Sequence, residues 1–181
     1  MSEVTYYFNS RSTGNWSDPD YMIDNILTNY AYTSSDGTTE TLDGNTCPAS
    51  DLGTITKVEL RVYGYGDSDD FLQLTPVFSG GDGGLHSAAP GVNPTWSGYY
   101  DITNDTNHPD WSSWSHVQDL DVKVIFTKSA KGNTMHCAKV EIRVTYITLP
   151  TVTTQACDQV DTTQARGNGN ITDLGGDTGC S

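Results

Sequence analysis

Basic residues are scarce in this sequence. Nine Lys and Arg stand against 23 Asp and Glu in 181 residues, for a formal net charge of −14. Nucleic-acid binding needs a cationic surface against the phosphates, so duplex and single-strand binding are both excluded as expectations. Long apolar runs are missing too, which excludes insertion into a membrane as a helix. The first eight residues, Met1 to Phe8, lack a basic segment followed by an apolar one, so they do not read as a secretory signal. The expected location is a virion, or the extracellular space reached by another route.

Catalytic signatures are equally thin. His86, His108, His116 and His136 are scattered, with no HxH or HExxH spacing. No GxSxG elbow occurs. Gly80-Gly81-Asp82-Gly83-Gly84 lies between two expected strands, so it reads as a flexible loop and not as a phosphate cradle. No catalytic residue, enzyme activity or organic cofactor is expected. Carboxylates are abundant, however, so sequence alone leaves a glycosidase pair open.

The four cysteines, Cys47, Cys137, Cys157 and Cys180, are too far apart for CxxC metal or redox motifs. An even number permits two disulfides in three pairings. Cys47–Cys137 and Cys157–Cys180 is the favoured pairing, and four free thiols are the alternative. Alternation places Cys137 on the polar face of its strand, so a bridge there is expected outside the core.

What is present is period-two alternation. In Cys137 to Tyr146, residues Ala138, Val140, Ile142, Val144 and Tyr146 alternate with Lys139, Glu141, Arg143 and Thr145. This is the pattern of a strand with one face in a core and one in water. Lys57 to Val62 repeats the theme. Antiparallel pairing of the two brings Glu59 to Arg143 and Arg61 to Glu141 outside. It stacks Val58 on Val144, Leu60 on Ile142 and Val62 on Val140 inside.

Other strands are expected over Val4 to Phe8, Thr54 to Tyr65, Phe71 to Phe78, Thr95 to Ile102 and Leu120 to Phe126. Pro76 sets the third of these at an edge or a bulge. Met22, Ile23, Ile26 and Leu27 predict a helix within Tyr21 to Tyr32, capped by Asp18 or Asp20. Thr33 to Asp51 reads as loop. One helical turn is expected over Trp114 to Leu120, capped by Ser115. The fold class is all-β, an antiparallel jelly-roll or Greek-key sandwich over residues 1–149. Residues 150–181 read as a Thr/Gly-rich linker and partial module or assembly tail.

Two stretches carry resemblances. Pro19 to Asn25, Tyr30-Ala31-Tyr32, Tyr100 to Thr103 and Trp114 to Leu120 resemble landmarks of jelly-roll sandwiches. Such domains occur in virus and phage structural proteins of the decoration or tail-fibre type, and in carbohydrate-binding and discoidin-like modules. Thr151 to Ala156 and Thr162 to Thr172 resemble the first strands of a fibronectin-like surface repeat. This second resemblance implies further strands or completion by another subunit.

Two groups are candidate sites. Asp67, Asp69 and Asp70 form a candidate Ca2+ site, because that ion takes several oxygen ligands from one loop. A plain acidic turn is the alternative, and Asp101 with Asp105 near Asn104 is a weaker candidate. Trp96, Tyr99, Tyr100, Trp111 and Trp114 cluster in sequence. They could fill the core, form a subunit contact or stack on sugars.

The leading expectation is a non-enzymatic structural protein of a virus particle. It would act by self-association (a homo-oligomer) or by docking on a capsid or tail lattice. A filament or adhesin subunit joined by strand donation is one alternative. A carbohydrate-binding module on surface glycans is the other.

Overall fold

Two strands carry the centre of the fold. β4 (Thr54–Tyr65) and β11 (Met135–Ile147) run antiparallel, with Val58 opposite Val144, Leu60 opposite Ile142 and Val62 opposite Val140. All six side chains are fully buried. This is the register expected from cross-strand charge and apolar pairing. The computed structural model describes residues 1–67, 69–128, 133–148, 151–158 and 166–173, the last two stretches by backbone alone.

β1 (Ser2–Gly14) is far longer than the expected Val4 to Phe8, and it joins two layers. Ser2 to Tyr7 pairs with β11, while Phe8 to Gly14 pairs with β3 (Thr39–Asn45). The first layer is thus β1, β11 and β4. β2 (Ala31–Thr33) lies along β11, and β8 (Thr95–Trp96) and β9 (Tyr100–Asp101) lie along β4. In the second layer β3 is followed by β10 (Asp121–Thr127), then β5 (Phe71–Phe78). The short β6 (Gly81–Asp82) and β7 (His86–Ala88) form its rim. Leu42, Leu72, Leu74, Val122, Val124 and Phe126 face the aliphatics of the first layer in one apolar core. The architecture is an antiparallel jelly-roll sandwich. β12 (Thr151–Asp158) and β13 (Arg166–Asp173) form a separate two-stranded sheet. Among the described residues no helix is long and apolar enough to cross a membrane.

Several expectations are corrected. The helix over Tyr21 to Tyr32 shrinks to one 3-10 turn, Pro19–Met22. Asn25 has φ 62°, and Asp24 accepts the Ile26 N–H at 2.8 Å, so the chain turns where a helix would continue. Met22 alone of the predicted stripe is fully buried. Asp18 makes no side-chain cap, and Asp20 pairs with Arg11 instead. The expected loop Thr33 to Asp51 contains β3, whose inward residues are Glu40 and Leu42. The turn over Ser115–Gln118 (α1) forms, but Ser113 Oγ accepts the Ser115 N–H at 3.2 Å. Pro76 falls between the stretches of β5 paired with β7 and β6, where its missing N–H breaks no ladder.

The cysteine pairing is also overturned. Cys47 and Cys137 are free and buried. Cys137 lies opposite Gly64 while Lys139 lies opposite Tyr63, so β11 bulges at Ala138. The bulge turns Cys137 from the polar face into the core. Cys47 packs against Tyr6, which stands opposite Ile142. That is about 17 Å along β11 from Cys137 at the usual strand rise, too far for a bridge. The Cys157–Cys180 pairing lies outside the described side chains.

Candidate functional site

Because Val58, Leu60 and Val62 point inward, Lys57, Glu59, Arg61, Tyr63 and Tyr65 of β4 point outward. Lys139, Glu141 and Arg143 do the same on β11. The result is two charge triads side by side. Glu59 lies between Lys57 Nζ at 2.6 Å and Arg143 Nη2 at 2.7 Å. Glu141 lies between Arg61 Nη2 at 2.6 Å and Lys139 Nζ at 2.8 Å. Both carboxylates are nearly buried, and each has two cationic partners, as a desolvated charge requires. The hydrogen bond to Glu59 holds the Lys57 ammonium above its usual range.

Rings close over these charges. Arg61 Cζ lies 4.0 Å from the Trp96 ring centre and 4.5 Å from that of Tyr99. Arg143 Cζ lies 3.7 Å from the same Tyr99 ring. Tyr99 gets there because the predicted strand Thr95 to Ile102 is broken. β8 and β9 each pair with β4, and Ser97 fills the gap between them. Its N–H donates to Val62 O at 2.8 Å and its Oγ accepts the Val62 N–H at 3.0 Å. Gly98 and Tyr99 then bow outward, over the sheet face.

The row of rings continues along the sheet. Tyr63 lies 5.1 Å from Trp96. Tyr65 stacks flat on His136, with centroids 4.3 Å apart and planes 2° from parallel. Tyr30 meets Tyr65 edge-on at 5.1 Å, and Tyr32 lies 6.0 Å from His136. Burial, then the neighbouring Tyr63 hydroxyl, raises the Tyr30 phenol above its ordinary value. Burial lowers the His136 imidazole. The Ala138 bulge is what keeps His136 outward while Met135 and Cys137 point in. Trp96, Tyr99, Tyr63, Tyr65 and Tyr30 are half-buried and Tyr32 is exposed, so this face is open to a ligand.

No protein-family model matches the chain, and no curated protein matches it in sequence. Three solved structures overlap it in part. The carbohydrate-binding module CBM32 of AlyQ in complex with 4,5-unsaturated mannuronic acid aligns at TM-score 0.46 and 13% identity, over 77% of this chain and 97% of that one. A truncated AlyQ with CBM32 and alginate lyase domains aligns at TM-score 0.44 and 13% identity, over 78% of this chain. The match spans 33% of that longer protein. The CBM36-1 domain of a multidomain xylanase from the hindgut metagenome of Trinervitermes trinervoides aligns at TM-score 0.42 and 8% identity, over 82% of this chain and 100% of that one. At such low identity no binding or catalytic residue transfers from them to this chain.

The five aromatics that cluster in sequence divide in space. Trp96 and Tyr99 belong to the open face. Trp111 and Trp114 are core residues: Trp111 meets Phe78 edge-on at 5.9 Å and donates to Thr103 O. Trp114 meets Tyr6 and Tyr146 edge-on and donates to Gly53 O. Tyr100 is half-buried beside His86, and its hydroxyl donates to Ser87 O. Of the candidate calcium residues, Asp70 is fully buried and its N–H donates to Asp67 O, while Asp67 and Asp69 are exposed. Asp105 accepts from Gly84 N–H and meets His86 Nε2 at 2.8 Å, whereas Asp101 accepts the Thr103 N–H. Against the upward push of burial, the Thr103 bonds and Lys57 hold Asp101 below the usual carboxylate range. Among the described residues no three His, Cys, Asp or Glu side chains gather as a metal site would need.

Sequence reasoning missed Tyr30, Tyr32, Tyr63, Tyr65 and His136 as members of a site. A signal for two of them was present. Tyr63 and Tyr65 extend the outward alternation of Glu59 and Arg61, so the pattern that marks the core also marks the opposite face.

Proposed function

We propose that this domain binds carbohydrate, without catalysing a reaction, on the outer face of the β1–β11–β4 layer. The observation that carries the reading is the row of half-exposed rings from Tyr32 to Tyr99, whose middle stands on β4 and β11 and whose Trp96 and Tyr99 are held by the arginines of the two charge triads. Pyranose rings present apolar C–H faces to such rings and hydroxyls to charged neighbours. Tyr and Trp offer large contact area at low conformational cost. A face built on strands also keeps its geometry better than one built on loops. A protein partner fits less well, because the middle of protein interfaces is depleted of charge, and here six charged side chains occupy the middle.

The test is affinity electrophoresis and calorimetry against a panel of soluble polysaccharides. Binding to at least one polymer is expected, about tenfold weaker for Trp96→Ala or Tyr99→Ala. A panel with no ligand would overturn the reading.

Self-association or docking on a particle lattice is the second reading. β12 and β13 favour it, since among the described residues they pair only with each other, and a two-stranded sheet is marginal in water without a partner. Light scattering that shows a monomer at every concentration, with and without particles, would remove this alternative. A virion or extracellular location accords with either use.

A further inference from the structure

The ring row has two chemically different ends. Around Tyr30, Tyr32, Tyr65 and His136 the contacts are aromatic. At the other end Arg61 and Arg143 lie against Trp96 and Tyr99, and Lys57 and Lys139 join them through the shared carboxylates Glu59 and Glu141; these are four of the nine basic residues in a chain of net charge −14. Only Glu59 and Glu141 lie among them, so the middle of the patch carries two more positive charges than negative. At its rim Asp101 is 3.9 Å from Lys57 and Glu3 is 3.7 Å from Arg143. Both rim carboxylates are half exposed or more, where solvent screens them. Other cations are differently placed: Arg11 has both Asp20 and Glu40, and Lys123 has Asp82.

The cations are fixed yet not saturated. A guanidinium has five N–H donors. Arg61 uses Nε and Nη2 on Glu141 Oε2, at 2.8 and 2.6 Å. Its remaining three N–H groups have no acceptor among the described residues. Arg61 and Arg143 converge on one ring, Tyr99. A sugar set at the edge of that ring would bring a substituent within reach of the exposed sides of both guanidiniums, whose planar forks suit a carboxylate. Lys57 is the most exposed of the four cations, with 41% of its side chain accessible. Lys139 is enclosed against Tyr7 and Glu141 and contributes charge without contact.

We propose that the ligand of this face is an acidic glycan, a chain bearing uronate carboxylates, with the carboxylate taken at Arg61, Arg143 and Lys57 and neighbouring sugars stacked toward Tyr65 and Tyr32. The proposal rests on the carbohydrate-binding reading and assigns its substrate class.

Calorimetry on the whole chain would compare a polyuronate, the same polymer after chemical reduction of its carboxyls to alcohols, a sulfated polysaccharide and neutral glucans. The polyuronate is expected to bind at least tenfold tighter than its reduced form, and to lose about tenfold on going from low to high salt. Lys57→Gln, a change at a side chain that is 41% accessible, should weaken polyuronate binding several-fold and the reduced polymer less. Circular dichroism would confirm that the variant is folded. Equal binding of native and reduced polymer would overturn the acidic-ligand assignment and leave carbohydrate binding standing. Equal binding of the sulfated polymer would overturn the carboxylate assignment. Failure of every polymer would remove both.

Discussion

Arg61 and Glu141 lie 80 positions apart in sequence and share one carboxylate oxygen through two donors, Nε at 2.8 Å and Nη2 at 2.6 Å. They also stand opposite each other in the register that stacks Leu60 on Ile142. The pair therefore reports on the pairing of the two central strands as well as on the binding face. Arg61→Ala, Glu141→Ala and the double variant should yield a coupling energy of about 1–2 kcal/mol in urea unfolding, within the range for contacting charged residues. The estimate stays below the 3–5 kcal/mol seen on breaking fully buried pairs, because about a quarter of Arg61 remains accessible. Additive single effects would mean that the two side chains do not meet in solution.

The centre of the sandwich was legible because it depends on local pattern. Val58, Leu60 and Val62 alternate with Glu59 and Arg61, and only one partner segment complements both faces. What was not legible depends on single non-local events. The Ala138 bulge reverses the facing of Cys137, and nothing in the alternation announces it. β3 was hidden because a core position holds Glu40, which sequence patterning reads as surface until Arg11 is placed beside it. Tyr99 reaches Arg61 only because Ser97 replaces a ladder residue on β4. Trp111 takes a left-handed φ of 52° and turns into the core, so proximity in sequence to Trp96 says nothing about its neighbours.

Both described thiols should be inert in the native state. Burial pushes Cys47 up to about 11, with a smaller opposing bond from Tyr6, and pushes Cys137 up to about 12. At pH 8 the reactive thiolate is then about one part in a thousand for Cys47 and about one in ten thousand for Cys137. Alkylation followed by peptide mapping should label both cysteines slowly in native buffer and fully in denaturant. A Cys47–Cys137 cross-linked peptide under non-reducing conditions would contradict the bulged register of β11.

His136 should make stability fall on acidification. Burial against Tyr65 and Tyr30 holds its pKa below the unfolded value of about 6.5. The unfolded chain therefore binds the proton more readily. The contribution is complete above the unfolded pKa and is lost as pH falls through the lower folded pKa. Replacing it by Phe keeps a stacked ring and removes the titration. Urea midpoints at pH 7.5 and pH 5 should fall more for the natural protein than for His136→Phe, the carboxylates being common to both. Equal falls would show that His136 titrates as a solvated imidazole.

Gly14 should tolerate no side chain, for reasons of space. It faces Glu40 across β1 and β3. A Cβ there would overlap Glu40 Oε2 and Cδ and lie 2.8 Å from Glu40 Cα. Glu40 cannot swing aside, since it is fully buried and held by Arg11 Nη1 at 3.2 Å. Gly14→Ala is accordingly expected to cost about 1–3 kcal/mol, the usual range for overpacking. Glu40→Ala in the same chain removes the overlap with the carboxylate but not that with the backbone. Gly14→Ala should then cost less in the Glu40→Ala background than in the natural protein, a non-additivity readable in denaturant midpoints. If Gly14→Ala matches the natural protein in stability, β1 and β3 do not approach as closely as the Gly14–Glu40 contact requires, and the junction between the two layers would have to be redrawn.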